Sequence, residues 1–133
     1  MVQEGIAVGD LTKDFSRSEF ACKCGCGFDQ IDPRVVDMCQ MIRDALGAPI
    51  RINSACRCGK RNAQVGGVQG SYHTKGLAAD LSCEAGSQRL QAVAKALFEA
   101  GKLPSLAYCK RYVAKNFVHI DCGHTRKNRF AKE

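Results

Sequence analysis

Two stretches of this chain decide the fold: Ser-Tyr-His-Thr-Lys-Gly-Leu-Ala-Ala-Asp at residues 71–80 and Phe-Val-His-Ile-Asp at residues 117–121. Short apolar runs interrupted by polar residues are typical of strands, and these runs predict two strands that present Asp80 and His119 on one face. His73 lies in the loop that leads to the first strand. Two imidazoles and one carboxylate are the ligands of a catalytic zinc that keeps its fourth position open. The two stretches therefore predict a zinc site.

The loop between the first two candidate ligands contains Gly76. Because glycine has no Cβ, it allows the chain to fold back so that His73 approaches Asp80. Each ligand also has an ordinary interpretation: His73 as a surface loop residue, Asp80 as a turn or capping residue, and His119 as a hydrogen-bonded core histidine. The chain has only three histidines, and two of them fall in these settings. The joint interpretation as metal ligands is therefore favoured.

These segments resemble the Ser-x-His-x-x-Gly-x-Ala-x-Asp and His-x-Asp signatures of the zinc D-alanyl-D-alanine carboxypeptidases. That superfamily also contains phage endolysin peptidases, murein endopeptidases and the hedgehog signalling domain. Residues 18–22, 52–57 and 62–68 are similar to further segments of the family, in the same order. The likeness extends from about Phe15 to Gly123. It implies an α+β fold in which helices flank a small antiparallel sheet.

The resemblance also implies an activity. It suggests a zinc metallopeptidase that hydrolyses peptide bonds of peptidoglycan stem peptides or cross-links, either as a carboxypeptidase or as an endopeptidase. A zinc held by His73, Asp80 and His119 would activate water and polarise the scissile carbonyl. Arg57 would stabilise the oxyanion or bind a substrate carboxylate, as the matching arginine does in relatives. Ser71 would bind the substrate backbone or orient its loop, and an ordinary turn serine is an equal alternative.

The general base is the part of the site that the sequence identifies least directly. Several relatives have an acidic residue three positions before the last histidine ligand, where this chain has Asn116, which cannot accept a proton at neutral pH. Asp121 shares a strand face with His119 and is the candidate base, or alternatively a group that orients a ligand. His124 is a third candidate. The departure at Asn116 keeps open a second function, a catalytically weak or inactive zinc-containing module that binds the cell wall.

Length and composition predict one globular domain over residues 1–133, and we expect it to be a monomer. The chain is long enough for a single core, with 45% hydrophobic and 25% charged residues. No apolar run reaches the 18 residues typical of a membrane helix, so no membrane insertion is expected. The segment 1–6 shows no signal-peptide pattern. A protein that acts on the cell wall would then be released by lysis, be carried on a phage particle, or have lost its leader.

The formal net charge of +7 favours approach to an anionic polymer such as peptidoglycan. Nucleic acid is the usual competing partner of a basic protein. Here the basic residues are scattered from Lys13 to Lys132, with local density only at residues 51–61 and 126–129. A basic protein with cysteine-bound zinc would also leave the His-Asp-His set unexplained. The scattered charge therefore predicts no nucleic acid, and the family resemblance implies peptidoglycan peptides as the partner.

Nine cysteines are the second unusual feature of the chain. Some lie in two close-spaced clusters, one formed by Cys22, Cys24 and Cys26 and the other by Cys56 and Cys58. Disulfides or free structural thiols, a second metal and redox sensing all remain open, and an odd total leaves at least one thiol unpaired. The CxC spacing is tighter than that of the usual structural zinc site. Among the dispersed cysteines, Cys83 and Cys122 are expected to face one another on neighbouring strands.

The remaining elements are predicted from caps and periodicity. Ser16 with Glu19 predicts a capping box, and Pro33 predicts the start of a helix that Gly47 ends. The other expected elements, in chain order, are a strand over 49–54, a glycine-rich loop over 62–71, a strand over 76–83, a helix over 87–100, a hairpin of 106–112 with 116–120, and a polar, mobile tail over 127–133.

Overall fold

The computed structural model describes residues 9–133, and it contains a sheet of five strands with helices packed against it. The expected α+β class is confirmed. The strands are β1 (Arg51–Ser54), β2 (Ala78–Ser82), β3 (Tyr108–Tyr112), β4 (Phe117–Asp121) and β5 (Phe130–Lys132). Their order across the sheet is β1-β2-β4-β3-β5, and every neighbouring pair is antiparallel except β3 with β5. The signal-peptide expectation concerned residues 1–6, which lie outside the described residues.

The helices are α1 (Arg17–Phe20), α2 (Pro33–Leu46), α3 (Gly59–Gln64) and α4 (Ser87–Glu99), together with one 3-10 turn over Tyr72–Lys75. The predicted cap of α1 is present, since the Ser16 N–H donates to the Glu19 carboxylate at 2.8 Å. The predicted ends of α2 are also confirmed. Asp32 accepts a hydrogen bond from the Arg34 N–H at its start, and Gly47 ends it with a left-handed φ of 72°.

A single hydrophobic core lies between the sheet and the long helices. Helix α2 packs on α4, and α4 packs on β3 and β4. Ile42 of α2, Leu81 of β2 and Ile120 of β4 are completely buried, and each such side chain contributes about 1.5–3 kcal/mol by leaving water. Because strand side chains alternate, Asp80 and His119 point to the opposite face of the sheet. The core thereby positions Asp80 and His119 on the face away from α2 and α4.

The expected polar tail contains a strand that the sequence analysis missed. Strand β5 pairs in parallel with β3, and the Cys109 N–H donates to the Arg129 carbonyl at 2.8 Å. The Phe130 ring packs against the Phe98 ring of α4, with centroids 5.8 Å apart. A strand of three residues among lysines and arginines shows too little alternation to be recognised from its pattern alone.

Two further expectations were wrong. Residues 62–64 were assigned to a loop but belong to α3, which the Cys58 side chain caps by accepting from the Arg61 N–H. Cys83 and Cys122 do not face one another, because β2 and β4 are antiparallel and Ala78 pairs with Asp121. Each cysteine lies three residues after a candidate ligand, and in antiparallel strands these positions fall at opposite ends of the pair. Within the described part of the chain, no helix is long and apolar enough to cross a membrane.

Candidate metal centre

The three predicted ligands meet on the sheet face opposite α2 and α4. Asp80 and His119 are direct partners in the β2–β4 register, and His119 Nδ1 lies 3.1 Å from Asp80 Oδ1. His73 Nε2 lies 3.2 Å from the same carboxylate oxygen. One ligand atom from each residue falls within 4.8 Å of the others. His73 is 2% exposed and Asp80 9% exposed, so the cluster is largely shielded from water.

The second nitrogen of each imidazole is already committed to an acceptor. His73 Nδ1 donates to the Ala55 carbonyl at 2.7 Å, and His119 Nε2 donates to Asp121 Oδ2 at 2.7 Å. In the neutral rings, His73 Nε2 and His119 Nδ1 therefore direct lone pairs toward the Asp80 carboxylate. Two lone pairs and one carboxylate at this distance repel one another unless a proton or a metal cation lies between them. The donor set fits a zinc ion with three protein ligands.

The histidines and carboxylates of the cluster shift one another's pKa values. Burial alone would raise the pKa of Asp80, but hydrogen bonds from His119 and His73 outweigh it and hold that pKa far below its usual range. Burial lowers the pKa of His119, but hydrogen bonds to Asp121 and Asp80 outweigh burial and raise it overall. The pKa of Asp121 is lowered despite burial, chiefly by His119. The carboxylates are therefore ionised at neutral pH.

Asp121 is completely buried behind His119. Besides the His119 contact, its carboxylate accepts from the Gly123 N–H at 3.1 Å and pairs with Arg126 Nη1 at 3.2 Å. The Arg126 guanidinium also lies over the Tyr108 ring, 3.9 Å from its centroid. The sequence analysis missed Arg126, because only the folded chain shows that a residue beyond β4 returns to the Asp121 carboxylate.

The turn that carries His73 is held by its neighbours. Ser71 Oγ accepts a hydrogen bond from the His73 N–H at 3.2 Å, and the Thr74 hydroxyl donates to the Ser71 carbonyl at 2.6 Å. The His73 carbonyl accepts from the Arg57 N–H at 3.0 Å. Gly76 ends the turn with a left-handed φ of 69°. Ser71 thus caps the turn that carries His73.

Gly76 should be unusually sensitive to substitution. A Cβ at this position would lie 2.1 Å from the Gln30 carbonyl oxygen, whereas a Cβ on Gly47 would meet nothing within 4 Å. Both residues have left-handed φ, so Gly47→Ala should cost about 1–2 kcal/mol from backbone strain alone. Gly76→Ala should cost a further ~1–3 kcal/mol from overpacking. Urea unfolding of both variants checks this, and equal losses would contradict the inferred close contact.

Arg57 lies beside Asp80, one of the three candidate ligands. Its Nη2 is 3.7 Å from Asp80 Oδ2, and its side chain is 11% exposed. Its Nη1 donates to Asn62 Oδ1 at 2.9 Å. Burial lowers the pKa of Arg57, which Asp80 opposes, and the guanidinium remains charged because an arginine cannot be deprotonated in proteins at ordinary pH. A fixed positive charge thus borders the site.

Asn62 is a second residue that the sequence analysis did not identify as functional. Its Nδ2 donates to the Val68 carbonyl at 2.9 Å, and its Oδ1 accepts from Arg57. A Cβ on Gly67 would lie 2.0 Å from Asn62 Oδ1 and 2.7 Å from Arg57 Nη1. Asn62 therefore fixes both the guanidinium and the glycine-rich loop beside it. The only sequence signal was its place at the start of segment 62–68, which resembles the family.

The ligands open into a cleft of about 680 Å³. All six predicted site residues contribute to its lining: Arg57, Ser71, His73, Asp80, His119 and Asp121. Basic residues predominate over acidic ones in the lining, which also includes Lys23, Arg61, Lys75, Lys110, Lys115 and Arg126. Two of the lining carboxylates, Asp80 and Asp121, are paired with histidines. The rest of the cleft therefore presents a positive surface.

Asn116, which replaces the acidic residue of several relatives, and His124, the remaining base candidate, lie in different places. Asn116 adopts a φ of 57° in the β3–β4 turn, and its Oδ1 accepts from the Ser87 N–H at 2.8 Å at the start of α4. Its amide is thus engaged with a helix terminus. His124 lines the cleft, and its Nδ1 is hydrogen-bonded to the Tyr72 hydroxyl.

Comparison with known protein families gives one match. A family model described as Peptidase M15 matches residues 13–121. That range includes α1 through β4, and with them Arg57 and the three candidate ligands, whereas Arg126 and β5 lie beyond it. No curated protein matches the chain.

Proposed function

This chain belongs to the peptidase M15 family, which implies a peptidase, and we propose that it is a zinc metallopeptidase acting on peptidoglycan peptides. The observation that carries the proposal is the meeting of His73 Nε2, Asp80 Oδ1 and His119 Nδ1 at the base of a basic cleft. We further propose that the chain acts as one domain and as a monomer.

His73, Asp80 and His119 would hold the metal through these three atoms. A zinc ion with three protein ligands supplies a Lewis acid that polarises a carbonyl and lowers the pKa of water. The hydrogen bonds from His73 to Ala55 and from His119 to Asp121 keep the two rings oriented and in the required tautomer. These two hydrogen bonds would therefore hold His73 and His119 in the orientation for metal binding before the ion arrives.

Arg57 is proposed to stabilise the negative charge that develops on the substrate oxygen. Asn62 fixes one end of its guanidinium, while Nη2 lies 3.7 Å from Asp80, too far for a hydrogen bond. Donors on Nη2 are therefore available to a substrate oxygen next to the metal ligands. The same planar guanidinium would bind a substrate carboxylate through two parallel hydrogen bonds.

Asp121 was expected either to act as the general base or to orient a ligand, and its surroundings support the second role. Its side chain is fully buried, and both oxygens are engaged by His119, Gly123 and Arg126. A carboxylate that accepts from the distal nitrogen of a ligating histidine fixes the ring and raises its basicity as a ligand. We therefore propose that Asp121 is a positioning residue.

Asp121→Asn tests this assignment. If the carboxylate positions His119, the variant should bind zinc about 10–100-fold more weakly and regain its hydrolysis at saturating zinc. If Asp121 accepts the proton, hydrolysis should remain about 10²–10⁴-fold lower even with the metal bound. Asp37→Asn, which changes an exposed carboxylate on α2, is the control. Zinc titration followed by rate measurements at saturation separates the two outcomes.

The cleft supports an anionic peptide as the substrate. Its positive lining favours binding of chains with free carboxylates, such as peptidoglycan stem peptides. Digestion of purified sacculi, with the released muropeptides identified by mass spectrometry, tests the proposal directly. Loss of a terminal D-alanine would indicate a carboxypeptidase, and separated cross-linked stems would indicate an endopeptidase. Intact muropeptides from several wall chemotypes would overturn the peptidase proposal.

One observation favours the second candidate function, a wall-binding module with little turnover. Several relatives have an acidic residue at the position of Asn116, and here that side chain caps α4. If the module proposal is correct, the protein should sediment with sacculi without releasing fragments. The two functions are thus separated by one experiment in which the pellet and the supernatant are both measured.

A further inference from the structure

Four cysteines form a second cluster, which the proposed peptidase chemistry does not use. Cys22 Sγ lies 3.4 Å from Cys24 Sγ and 3.8 Å from Cys58 Sγ, and Cys24 Sγ lies 3.6 Å from Cys58 Sγ. Cys26 completes the group, with all four sulfurs within 4.8 Å of one another. Cys56 and Cys58 flank Arg57. Cys58 joins the cluster, whereas Cys56 is buried in the hydrophobic core.

We infer that Cys22, Cys24, Cys26 and Cys58 bind a structural Zn²⁺ ion as four thiolates. In a tetrahedral site with Zn–S bonds of about 2.3 Å, neighbouring sulfurs are about 3.8 Å apart. The measured separations of 3.4, 3.6 and 3.8 Å approach the edges of such a tetrahedron. Disulfides explain the cluster less well, because a sulfur in a disulfide bonds to only one other sulfur.

The spacing along the chain also suits a metal. Although each neighbouring pair has the tight CxC spacing, Cys22 and Cys26 are separated by three residues, which is within the usual range for structural zinc ligands. Left-handed φ values at Gly25 (80°) and Gly27 (91°) allow the chain to turn around the cluster. Cys58 supplies the fourth sulfur from a separate segment.

Backbone amides are placed to stabilise thiolate charge. The Cys58 N–H donates to Cys22 Sγ at 3.4 Å, and the Arg61 N–H donates to Cys58 Sγ at 3.4 Å. Hydrogen bonds to ionised acceptors are stronger than those to neutral ones. Lys23 lies between Cys22 and Cys24 in sequence, and Lys60 lies two residues after Cys58, so both place positive charge close to the ligands along the chain.

The inferred zinc has a structural role because four protein ligands leave no open position for a substrate. It would join the segment of Cys22–Cys26 to Cys58, the residue that follows Arg57. The Cys56 N–H donates to the Phe20 carbonyl at 2.9 Å, and the Arg57 N–H donates to the His73 carbonyl at 3.0 Å. The ion would thus stabilise the segment from which Arg57 enters the cleft.

Metal content of the full chain, purified under reducing conditions and supplied with zinc, tests the inference. Wild type should hold about two zinc ions per chain, given one site of each kind. The pair Cys24→Ser with Cys26→Ser, at two exposed positions, should remove one ion. The pair His73→Ala with His119→Ala should remove the other ion. Cys83→Ser is the matched control and should retain both.

Cobalt substitution identifies the ligands independently of hydrolysis. The His73→Ala/His119→Ala variant loaded with Co²⁺ should show near-ultraviolet thiolate-to-cobalt absorption, and the added Cys24→Ser/Cys26→Ser changes should abolish it. The result does not depend on whether the chain is a peptidase. Retention of both zinc ions in the cysteine variant would overturn the inference. So would disulfides among these cysteines in the intact mass of protein purified without reductant and supplied with zinc, or iron in place of zinc on the four sulfurs.

Discussion

His73→Ala and His119→Ala are each expected to eliminate measurable peptide hydrolysis. Each change removes a ligand atom within about 3.2 Å of Asp80 Oδ1 and leaves that buried carboxylate with less compensating charge. The loss should exceed the about 10²–10⁴-fold contribution of a general acid–base residue, because the metal centre itself is lost. Muropeptide release by the purified variants measures the effect.

His124→Ala is the matched control for these two changes, since it removes the third histidine from the same cleft. Its imidazole contacts Tyr72 rather than Asp80, so zinc content should stay at the wild-type level. In His73→Ala and His119→Ala, the zinc content should fall by about one ion per chain. A fully active His119→Ala variant with undiminished zinc would rule out the proposed metal centre.

Arg57→Ala has the second largest expected effect. It should lower turnover about 10²–10³-fold, the scale seen when one donor to a developing oxyanion is removed. Arg57→Lys should not restore full activity, because an ammonium group cannot bind Asn62 and a substrate oxygen with the geometry of the planar fork. Rates at saturating substrate, measured on zinc-loaded protein, report this effect.

Arg61→Ala controls for the loss of positive charge from the cleft. Arg61 also lines the cleft but makes no ion pair with the metal ligands among the described residues. Its substitution should weaken substrate binding slightly and leave turnover near that of wild type. Thermal unfolding of all three arginine variants verifies that they fold. Equal turnover in Arg57→Ala and Arg61→Ala would refute the specific role of Arg57.

The meeting of His73, Asp80 and His119 was largely predictable because it depends on local pattern and strand pairing. Asp80 and His119 each lie in a short strand whose alternation directs them away from the core, and their direct pairing follows from the antiparallel register. The role of Gly76 in the turn was predictable for a similar reason, since a left-handed φ at a glycine depends on the local sequence. These features require no knowledge of distant parts of the chain.

The parts of the site that were missed depend on long-range contacts. Asn62 reaches Arg57 only through the turn of α3, and Arg126 returns to Asp121 after the end of β4. The error about Cys83 and Cys122 had a related cause. Residues at the same distance beyond two paired residues face one another only when the two strands are parallel, and β2 and β4 are antiparallel. The place of Cys58, and not Cys56, in the thiol cluster likewise depends on how two remote segments meet.

The position of β2 and β4 inside the sheet has a consequence for how the site opens. Each has a hydrogen-bonded strand on both sides, so the backbone around Asp80 and His119 separates only when the domain unfolds globally. His73, by contrast, lies on a 3-10 turn outside the sheet, held by Ser71, Ala55 and Arg57. A metal bound by these three residues would have two ligands on inner strands and one on a turn, so hydrogen exchange should show the turn of His73 opening more readily than the strands of Asp80 and His119.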